Sequence, residues 1–262
     1  QTTGEILFEG KVNVWDFITG LQWAPPTLLG IGFIIINTVY VSFLSLLLAL
    51  PIGTMTALFI AKIAPKKVAS ILRTSVELLA SVPSIIYGVF GAGAIVYMTK
   101  SIGGVIGIVT VGGLGVISTV ILLTMMILPT ITTVAEVSIR SVQKEIEHGS
   151  LALGATKTQT NFKVVLTSAK SGIFTGAILG IGRALGEATA VSMVAGNIGI
   201  GPTFNFFERT RTLTSTMLAG VHESTGLLYD IRFSIGIVLM ITIIITNYML
   251  NVVKKRLGNL DD

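Results

Sequence analysis

The sequence predicts an all-α membrane protein, a polytopic bundle of about five spanning helices, and its composition and charge clustering carry this prediction. The chain is 52% hydrophobic and only 12% charged, whereas a soluble domain carries about 25% charged residues. Charges are absent from residues 17–61, 78–99, 101–135 and 233–253. Each of these gaps can hold the roughly 20 apolar residues that a spanning helix needs. The alternating pattern of a membrane β-barrel is absent from the sequence.

The chain divides into an external N-terminal segment, a transmembrane domain and a short cytosolic tail. The N-terminal segment contains Trp15, Trp23 and the pair Pro25-Pro26. Because Trp is enriched where a membrane meets water, this composition predicts a surface segment that turns into the membrane. The predicted parts are residues 1–27, residues 28–253 with a cytosolic element at 140–170, and residues 254–262.

The predicted spans are residues 28–61, 68–99, 114–135, 171–196 and 230–253. The first is longer than one crossing needs, so we expect it to be tilted, or kinked near Pro51. It also contains Asn37, which either bonds to a neighbouring helix or faces a substrate. The second is interrupted between Ser81 and Ser84, which predicts either a broken helix lining a cavity or a packing kink. The third is expected to end near Pro129.

The distribution of positive charges predicts the orientation of the chain. Of the 18 Lys and Arg residues, twelve fall on one side of this layout, five on the other, and Arg183 lies inside a span. Cytosolic loops of membrane proteins carry the excess of Lys and Arg. We therefore expect the N-terminus of this chain outside and the C-terminus in the cytosol.

The cytosolic element predicts two short helices separated by a turn. Val142 to Leu153 places apolar and small residues along one face, and Gly154 can end this helix, as glycine commonly does. A second helical segment, Thr158 to Ala169, leads into the fourth span. A short helix lying across the membrane base is suited to docking into a cleft on a soluble partner.

Two charges stand inside the fourth span. Arg183 and Glu187 are four residues apart, so a continuous helix would place both on one face. That face also carries small residues, which allow close approach of another helix and indicate that the charges face protein. The small residues are Gly172, Gly176, Gly180 and Ala190. Charges at this depth usually mark a pathway, and a guanidinium suits an oxyanion; the alternative is a structural salt bridge between helices.

Several functions are excluded by what the sequence lacks. It contains no cysteine, and its two histidines are His148 and His222, so neither a thiolate nor a histidine-rich metal site is expected. A phosphate-binding loop of the form GxxxxGK[ST] does not occur, so the chain itself is not expected to hydrolyse ATP. No nucleophile–base–acid constellation indicates an enzyme. Basic runs interleaved with aromatics are also missing, so nucleic acid is not an expected partner.

A resemblance to a known family lies in residues 149–173, which read GSLALGATKTQTNFKVVLTSAKSGI. This stretch is similar to the EAA loop, the coupling motif of ABC importer permeases, with matches at Gly154, Ala155 and Thr156. Residues 182–197 (GRALGEATAVSMVAGN) and 77–91 (ELLASVPSIIYGVFG) resemble the permeases of phosphate uptake, their PstC-type subunit more than the PstA-type. FITGLQWAPP, Phe17 to Pro26, is a looser match to the same subunit.

This resemblance implies an ABC importer type I (MetI-like) permease core and a specific function. The chain would be the transmembrane permease subunit of an ATP-driven importer of inorganic phosphate, forming half of the translocation pathway. The implied partners are a second permease subunit (PstA-like), an ATPase dimer (PstB-like), an external phosphate-binding protein (PstS-like) and membrane lipid. No cofactor would be bound by this chain, since ATP and Mg would sit on the ATPase. The implied location is the bacterial cytoplasmic membrane.

The expected site residues follow from this resemblance and from the charged face of the fourth span. Contact with the ATPase is expected from Glu147, His148, Gly149, Leu153, Gly154, Ala155 and Thr156. The substrate pathway is expected to include Arg183, Glu187, Ser81, Ser84 and Asn37. The chain departs from the family pattern at two positions: the acidic residue that opens the motif aligns on His148, and Thr167 replaces the usual Pro. The family subunit also has one more N-terminal span, which would precede Gln1.

Two alternatives remain open at this point. Within the same class, the substrate is another oxyanion such as molybdate or tungstate. In a different class, the chain is a secondary transporter or channel that needs no ATPase. Inverted repeats would favour a secondary transporter, and the sequence shows none. Co-purification with a nucleotide-binding subunit separates the two classes.

Overall fold

The computed structural model describes residues 13–221 and 223–258, and within them the fold is almost entirely helical. Antiparallel strands β1 (Trp23–Ala24) and β2 (Leu28–Leu29) form a small hairpin near the start. The helices before the cytosolic element are α1 Val14–Thr19, α2 Gly32–Leu58, α3 Lys66–Ser81, α4 Ser84–Phe90, α5 Val96–Val105 and α6 Val116–Arg140. Those from the element onward are α7 Lys144–Ala152, α8 Lys157–Gln159, α9 Leu166–Ser168, α10 Lys170–Gly186, α11 Thr189–Val194, α12 Leu213–Leu218 and α13 Leu227–Gly258.

Three π-helical segments interrupt or extend these helices. Phe59–Ile63 continues α2, Gly91–Ile95 joins α4 to α5, and Thr160–Val165 joins α8 to α9. A π-helix has i→i+5 hydrogen bonds and usually occurs as a single turn inside an α-helix, often at a functional site. Sequence patterns of apolar residues do not distinguish such a turn from regular α-helix.

Four helical stretches in the described part of the chain are long and apolar enough to cross a membrane: Gly32–Ile63, Ser84–Val105, Val116–Arg140 and Leu227–Arg256. A bent pair, Lys157–Ser168 followed by Lys170–Gly186 at 64°, makes a fifth if it is counted as one span. The prediction of an all-α bundle with about five spans is therefore confirmed.

Three predicted span boundaries are corrected by the structure. The second span begins at Ser84 and not at residue 68, because Pro83 separates it from α3. The third span passes through Pro129 and continues to Arg140; a proline inside a helix removes one backbone hydrogen bond, which a long apolar helix can tolerate. The fourth span was expected to reach residue 196, but its helix ends at Gly186 and α11 begins only at Thr189.

The chain separates into two compact units. The first takes in the described residues up to Ser45, Pro83–Leu123 and Ala184–Thr246. The second takes in Leu46–Val82, Thr124–Arg183 and the residues from Asn247 onward.

The core of the first unit draws together residues that are distant in sequence. Its fully or nearly buried members are Phe17, Trp23, Ile31, Phe33, Ile34, Leu213, Ile231 and Ile235. Trp23 is thus a core residue and not part of an interfacial belt, whereas Trp15 remains 72% exposed. The hairpin and α1 are consequently packed onto the transmembrane helices and are not a free surface segment.

The core of the second unit includes the glycine face of α10, which packs against α6. A Cβ added to Gly180 would lie 3.0 Å from a side-chain carbon of Ile131, and one on Gly176 would lie 3.3 Å from Val134. The interpretation of these small residues as a helix-packing face is confirmed for this part of α10. Nearby, Ala135, Ile139, Val165 and Ala169 form a buried cluster with Ala57 and Leu58.

Candidate functional site

The exposed helix α7, Lys144–Ala152, forms the centre of the cytosolic element. Two acidic residues lie in its first turn, where a helix dipole favours negative charge, and none of its residues is buried. The helix ends where expected: Gly154 has φ +85°, a left-handed conformation that suits glycine, and its N–H bonds to the Leu151 carbonyl at 3.0 Å. Leu153 beside it is 91% exposed.

The turn after α7 is organised by its own hydrogen bonds. Thr156 caps α8: its hydroxyl accepts from the Gln159 N–H at 3.2 Å, and the Gln159 side chain accepts from the Thr156 N–H at 2.8 Å. The Ala155 N–H reaches back to the Ser150 carbonyl at 3.2 Å. The second predicted helical segment, Thr158 to Ala169, is present as α8, a π-helical turn and α9. The element is therefore preordered before any partner binds.

The residues expected to contact an ATPase differ in exposure. His148, Gly149, Leu153, Gly154 and Thr156 are exposed, and Ala155 is half-buried. Glu147 is directed elsewhere: its carboxylate forms an ion pair with the Lys62 ammonium, and its side chain is only 20% exposed. Glu147 therefore contacts this chain rather than offering a free carboxylate to a partner.

The two charges of the fourth span do not share one continuous helix face, so that part of the prediction is wrong. Arg183 lies in the last turn of α10, and Glu187 follows the end of the helix at Gly186. Each side chain has a partner within its own unit. Arg183 donates to the Thr130 hydroxyl at 3.4 Å, a long hydrogen bond. Glu187 accepts the Ala190 N–H, in the first turn of α11, at 3.0 Å.

The other three pathway candidates, Ser81, Ser84 and Asn37, differ in their surroundings. Ser81 donates to the Leu78 carbonyl at 2.8 Å, and Ser84 begins α4 in a half-buried position. Asn37 is fully buried, and its side-chain oxygen accepts the Thr203 N–H at 3.0 Å. Its Nδ2 is buried with no hydrogen-bond partner among the described residues, and both interpretations of Asn37 stay predictions.

A buried carboxylate that the sequence analysis did not single out is Glu136, near the end of α6. It accepts from Arg73 Nε at 3.1 Å and from Arg140 Nε at 2.8 Å, and its side chain is 8% exposed. The hydrogen bond and the charge of Glu136 raise the pKa of Arg73 above its ordinary value. From the sequence alone, Glu136 was used only as the boundary of a charge-free gap. Arg73 and Arg140 were used only to predict the orientation of the chain in the membrane.

A second missed residue is Arg211, in the loop before α12. Its Nη2 donates to the Asn197 carbonyl at 2.6 Å, while its Nε is buried without a hydrogen-bond partner in the described part of the chain. Burial, and then the nearby charge of Arg232, lower the pKa of Arg211 to about 10. Arg211 was counted only as an outer-side charge, since sequence does not show which loop residues are buried.

His148 is not part of a candidate metal site in the described part of the chain. Among residues 13–221 and 223–258, no group of three or more His, Asp or Glu side chains is arranged to hold a metal ion. His222 lies outside the described residues.

A bundle of apolar spans with an exposed, ordered helix and turn between two of them fits one class of protein, the membrane subunit of a transporter. The chain belongs to the family described as the inner membrane component of binding-protein-dependent transport systems, whose profile matches residues 49–259. It is a permease subunit of a type I ABC importer and crosses the membrane several times. This membership decides against a secondary transporter or channel.

Named relatives cover most of the chain. It is 34% identical to a probable ABC transporter permease, YqgH of Bacillus subtilis, over 88% of this chain and 74% of that protein. It is 30% identical to the phosphate transport system permease PstC of Mesorhizobium japonicum, over 93% of this chain and 80% of that protein.

Solved structures confirm the fold. The transporter of methionine, MetNI, in an inward-facing conformation, superposes with a TM-score of 0.68 at 18% identity, covering 89% of this chain and 99% of the matched chain. A bacterial alginate ABC transporter gives a TM-score of 0.64 at 19% identity, covering 96% of this chain and 87% of the matched chain. The predicted type I, MetI-like permease core is therefore confirmed.

Proposed function

We propose that this chain is the PstC-like permease subunit of an importer of inorganic phosphate. The observation that carries the choice of substrate is the 30% identity, over 93% of this chain, to a permease named for phosphate transport. A guanidinium within a span is chemically consistent with phosphate as the substrate, since among the described residues Arg183 forms one hydrogen bond, the long one to Thr130. Its remaining donors are available to the oxygens of an oxyanion.

The proposed assembly contains a second, PstA-like permease, a PstB-like ATPase dimer and an external PstS-like phosphate-binding protein. ATP and Mg bind to the ATPase and not to this chain. The N-terminus of this chain faces outward and its C-terminus faces the cytosol of a bacterial cell, in agreement with the charge bias. Lipid surrounds the spans.

The exposed end of α7 is the surface we propose for the ATPase. Leu153 offers a large apolar side chain at 91% exposure, beside the ordered turn at Gly154. A few side chains that fill well-packed pockets on a partner carry most of the affinity of such interfaces. Movement of the ATPase pair would displace α7 and shift the spans between inward-open and outward-open states, so that phosphate passes Arg183.

Competitive uptake by the whole complex tests the substrate. The complex is reconstituted in vesicles with its binding protein and ATP, and uptake of labelled phosphate is measured against an excess of unlabelled phosphate, molybdate, tungstate or sulfate. We expect only unlabelled phosphate to suppress uptake strongly. Absence of labelled phosphate uptake, or stronger suppression by molybdate or tungstate than by unlabelled phosphate, would overturn the proposal.

A further inference from the structure

Two polar contacts hold the exposed helix α7 against the rest of the second unit. The Glu147 carboxylate pairs with the Lys62 ammonium, and the two side chains are only 20% and 17% exposed. One helical turn further on, the Ser150 hydroxyl lies 3.0 Å from the Thr160 hydroxyl. None of the residues of α7 is fully buried, and Ile146 and Leu151 stay 42% and 38% exposed. The polar contacts therefore contribute to holding the helix in place.

Both contacts reach π-helical turns. Lys62 belongs to the segment Phe59–Ile63, in which the Ala64 N–H bonds to the Phe59 carbonyl at 2.8 Å, five residues back. Thr160 begins the segment Thr160–Val165. The wider ring of a π turn breaks the regular i→i+4 ladder and changes the direction in which its side chains point. Such a turn is a place where a helix can change register without unfolding.

The first π turn is itself fixed by a cluster of charges around the buried carboxylate of Glu136. Arg140 donates from Nη2 to the Ile60 carbonyl at 3.1 Å and from Nε to Glu136 at 2.8 Å. Arg73 donates to the same carboxylate from its position on α3. A continuous series of polar contacts thus runs from α7 through Lys62 and the π turn to α6 and α3. We name this series, formed by Glu147, Lys62, the Ile60 carbonyl, Arg140, Glu136 and Arg73, the polar brace.

We propose that Lys62 is a positioning residue for the coupling of ATP hydrolysis to transport. The polar brace transmits displacement of α7 to the spanning helices α2 and α6. The proposal rests on the proposed docking of an ATPase at α7. It also assigns Glu147 a different task from its exposed neighbours: Leu153 contacts the partner, whereas Glu147 links α7 to the spans. Loss of the Lys62 charge leaves Glu147 without its partner, so α7 can move without moving α2.

The test measures ATP hydrolysed per ion transported by the reconstituted complex. Lys62→Met is compared with Lys66→Met, a matched change at an exposed lysine four residues later on α3. We expect Lys62→Met to raise the ratio about fivefold or more, the lower range of coupling free energies, while ATP hydrolysis is retained. Lys66→Met should leave the ratio unchanged. The double exchange Lys62→Glu with Glu147→Lys should return the ratio toward that of the unmodified complex.

The outcomes separate this inference from the proposed function. If the unmodified chain does not co-purify with an ATPase, the proposed docking is wrong. If the ATPase co-purifies and the Lys62→Met complex keeps the normal ratio of ATP hydrolysed per ion transported, the brace does not transmit the displacement of α7. This inference is then overturned. Should Lys62→Met fail to assemble, the double exchange decides: coupled transport supports the brace, and any other result overturns it.

Discussion

Gly172 of α10 lies directly against Ser138 of α6, so closely that a Cβ added to the glycine would overlap the Ser138 hydroxyl oxygen and its Cβ. The two helices pack through contacts between small residues, which let helices in a membrane approach closely. Further along the same face, Gly180 lies against Ile131 in the same manner. The approach of α10 to α6 therefore depends on the absence of side chains at these glycines.

Gly172→Ala should destabilise the permease. Overpacking a close contact typically costs about 1–3 kcal/mol, and the thermal unfolding midpoint of the purified complex should fall. Gly104→Ala serves as the control, because a Cβ at Gly104 in α5 meets nothing within 4 Å. Adding Ser138→Gly to the Gly172 variant should recover part of the loss. An unchanged midpoint for Gly172→Ala would contradict the close packing of α10 on α6.

Glu136→Gln should also destabilise the fold, through charge. The carboxylate accepts from both Arg73 and Arg140, and its loss leaves two guanidinium groups near each other without a counter-charge. Breaking a fully buried pair costs about 3–5 kcal/mol; because both arginine side chains are 44% exposed, we expect about 1–3 kcal/mol.

Chemical or thermal unfolding of the complex measures this change. Glu145→Gln is the matched control, since Glu145 is exposed in the first turn of α7. Equal stability of the Glu136 and Glu145 variants would show that the cluster around Glu136 does not hold α3 to α6.

Leu153→Ala should weaken ATPase binding while leaving the fold intact. The side chain is 91% exposed, so its removal leaves no cavity. Truncating an apolar anchor at the centre of an interface typically costs about 2 kcal/mol or more, which is a fall in affinity of more than about tenfold. Titration of the purified ATPase against the permease in detergent measures it.

Val109→Ala provides the comparison for Leu153, because Val109 is 93% exposed but belongs to the loop between α5 and α6 and not to the cytosolic element. The affinity of the Val109→Ala permease for the ATPase should match that of the unmodified chain. Equal affinities for both variants would mean that Leu153 is not part of the docking surface.

The sequence predicted the features that depend on local composition. Long apolar runs gave the spans, and Gly154 marked the end of α7, because a left-handed residue after a helix favours glycine. The break at Pro83 was also visible, since proline cannot continue the hydrogen-bond ladder. In contrast, Pro129 was wrongly expected to end a helix that continues for 11 residues to Arg140.

Contacts between distant residues could not be predicted. The Lys62–Glu147 pair joins residues 85 positions apart, and in sequence both are ordinary charges of cytosolic segments. The end of α10 near Glu187 is likewise set by a tertiary contact: the Thr214 hydroxyl donates to the Glu187 carbonyl at 2.7 Å, 27 residues away. A pattern of small and apolar residues does not indicate such a partner. The helix was therefore predicted to be longer than it is, and Arg183 and Glu187 were predicted to share one face.

Phosphate uptake by the Arg183→Gln complex tests the central proposal most directly. Glutamine keeps a side chain that can bond to Thr130 but removes the charge and the planar fork that suit an oxyanion. Labelled phosphate uptake and co-purification of the ATPase are measured on the same reconstituted preparation. The account predicts that the ATPase still co-purifies while uptake is lost; uptake at the normal rate would contradict it.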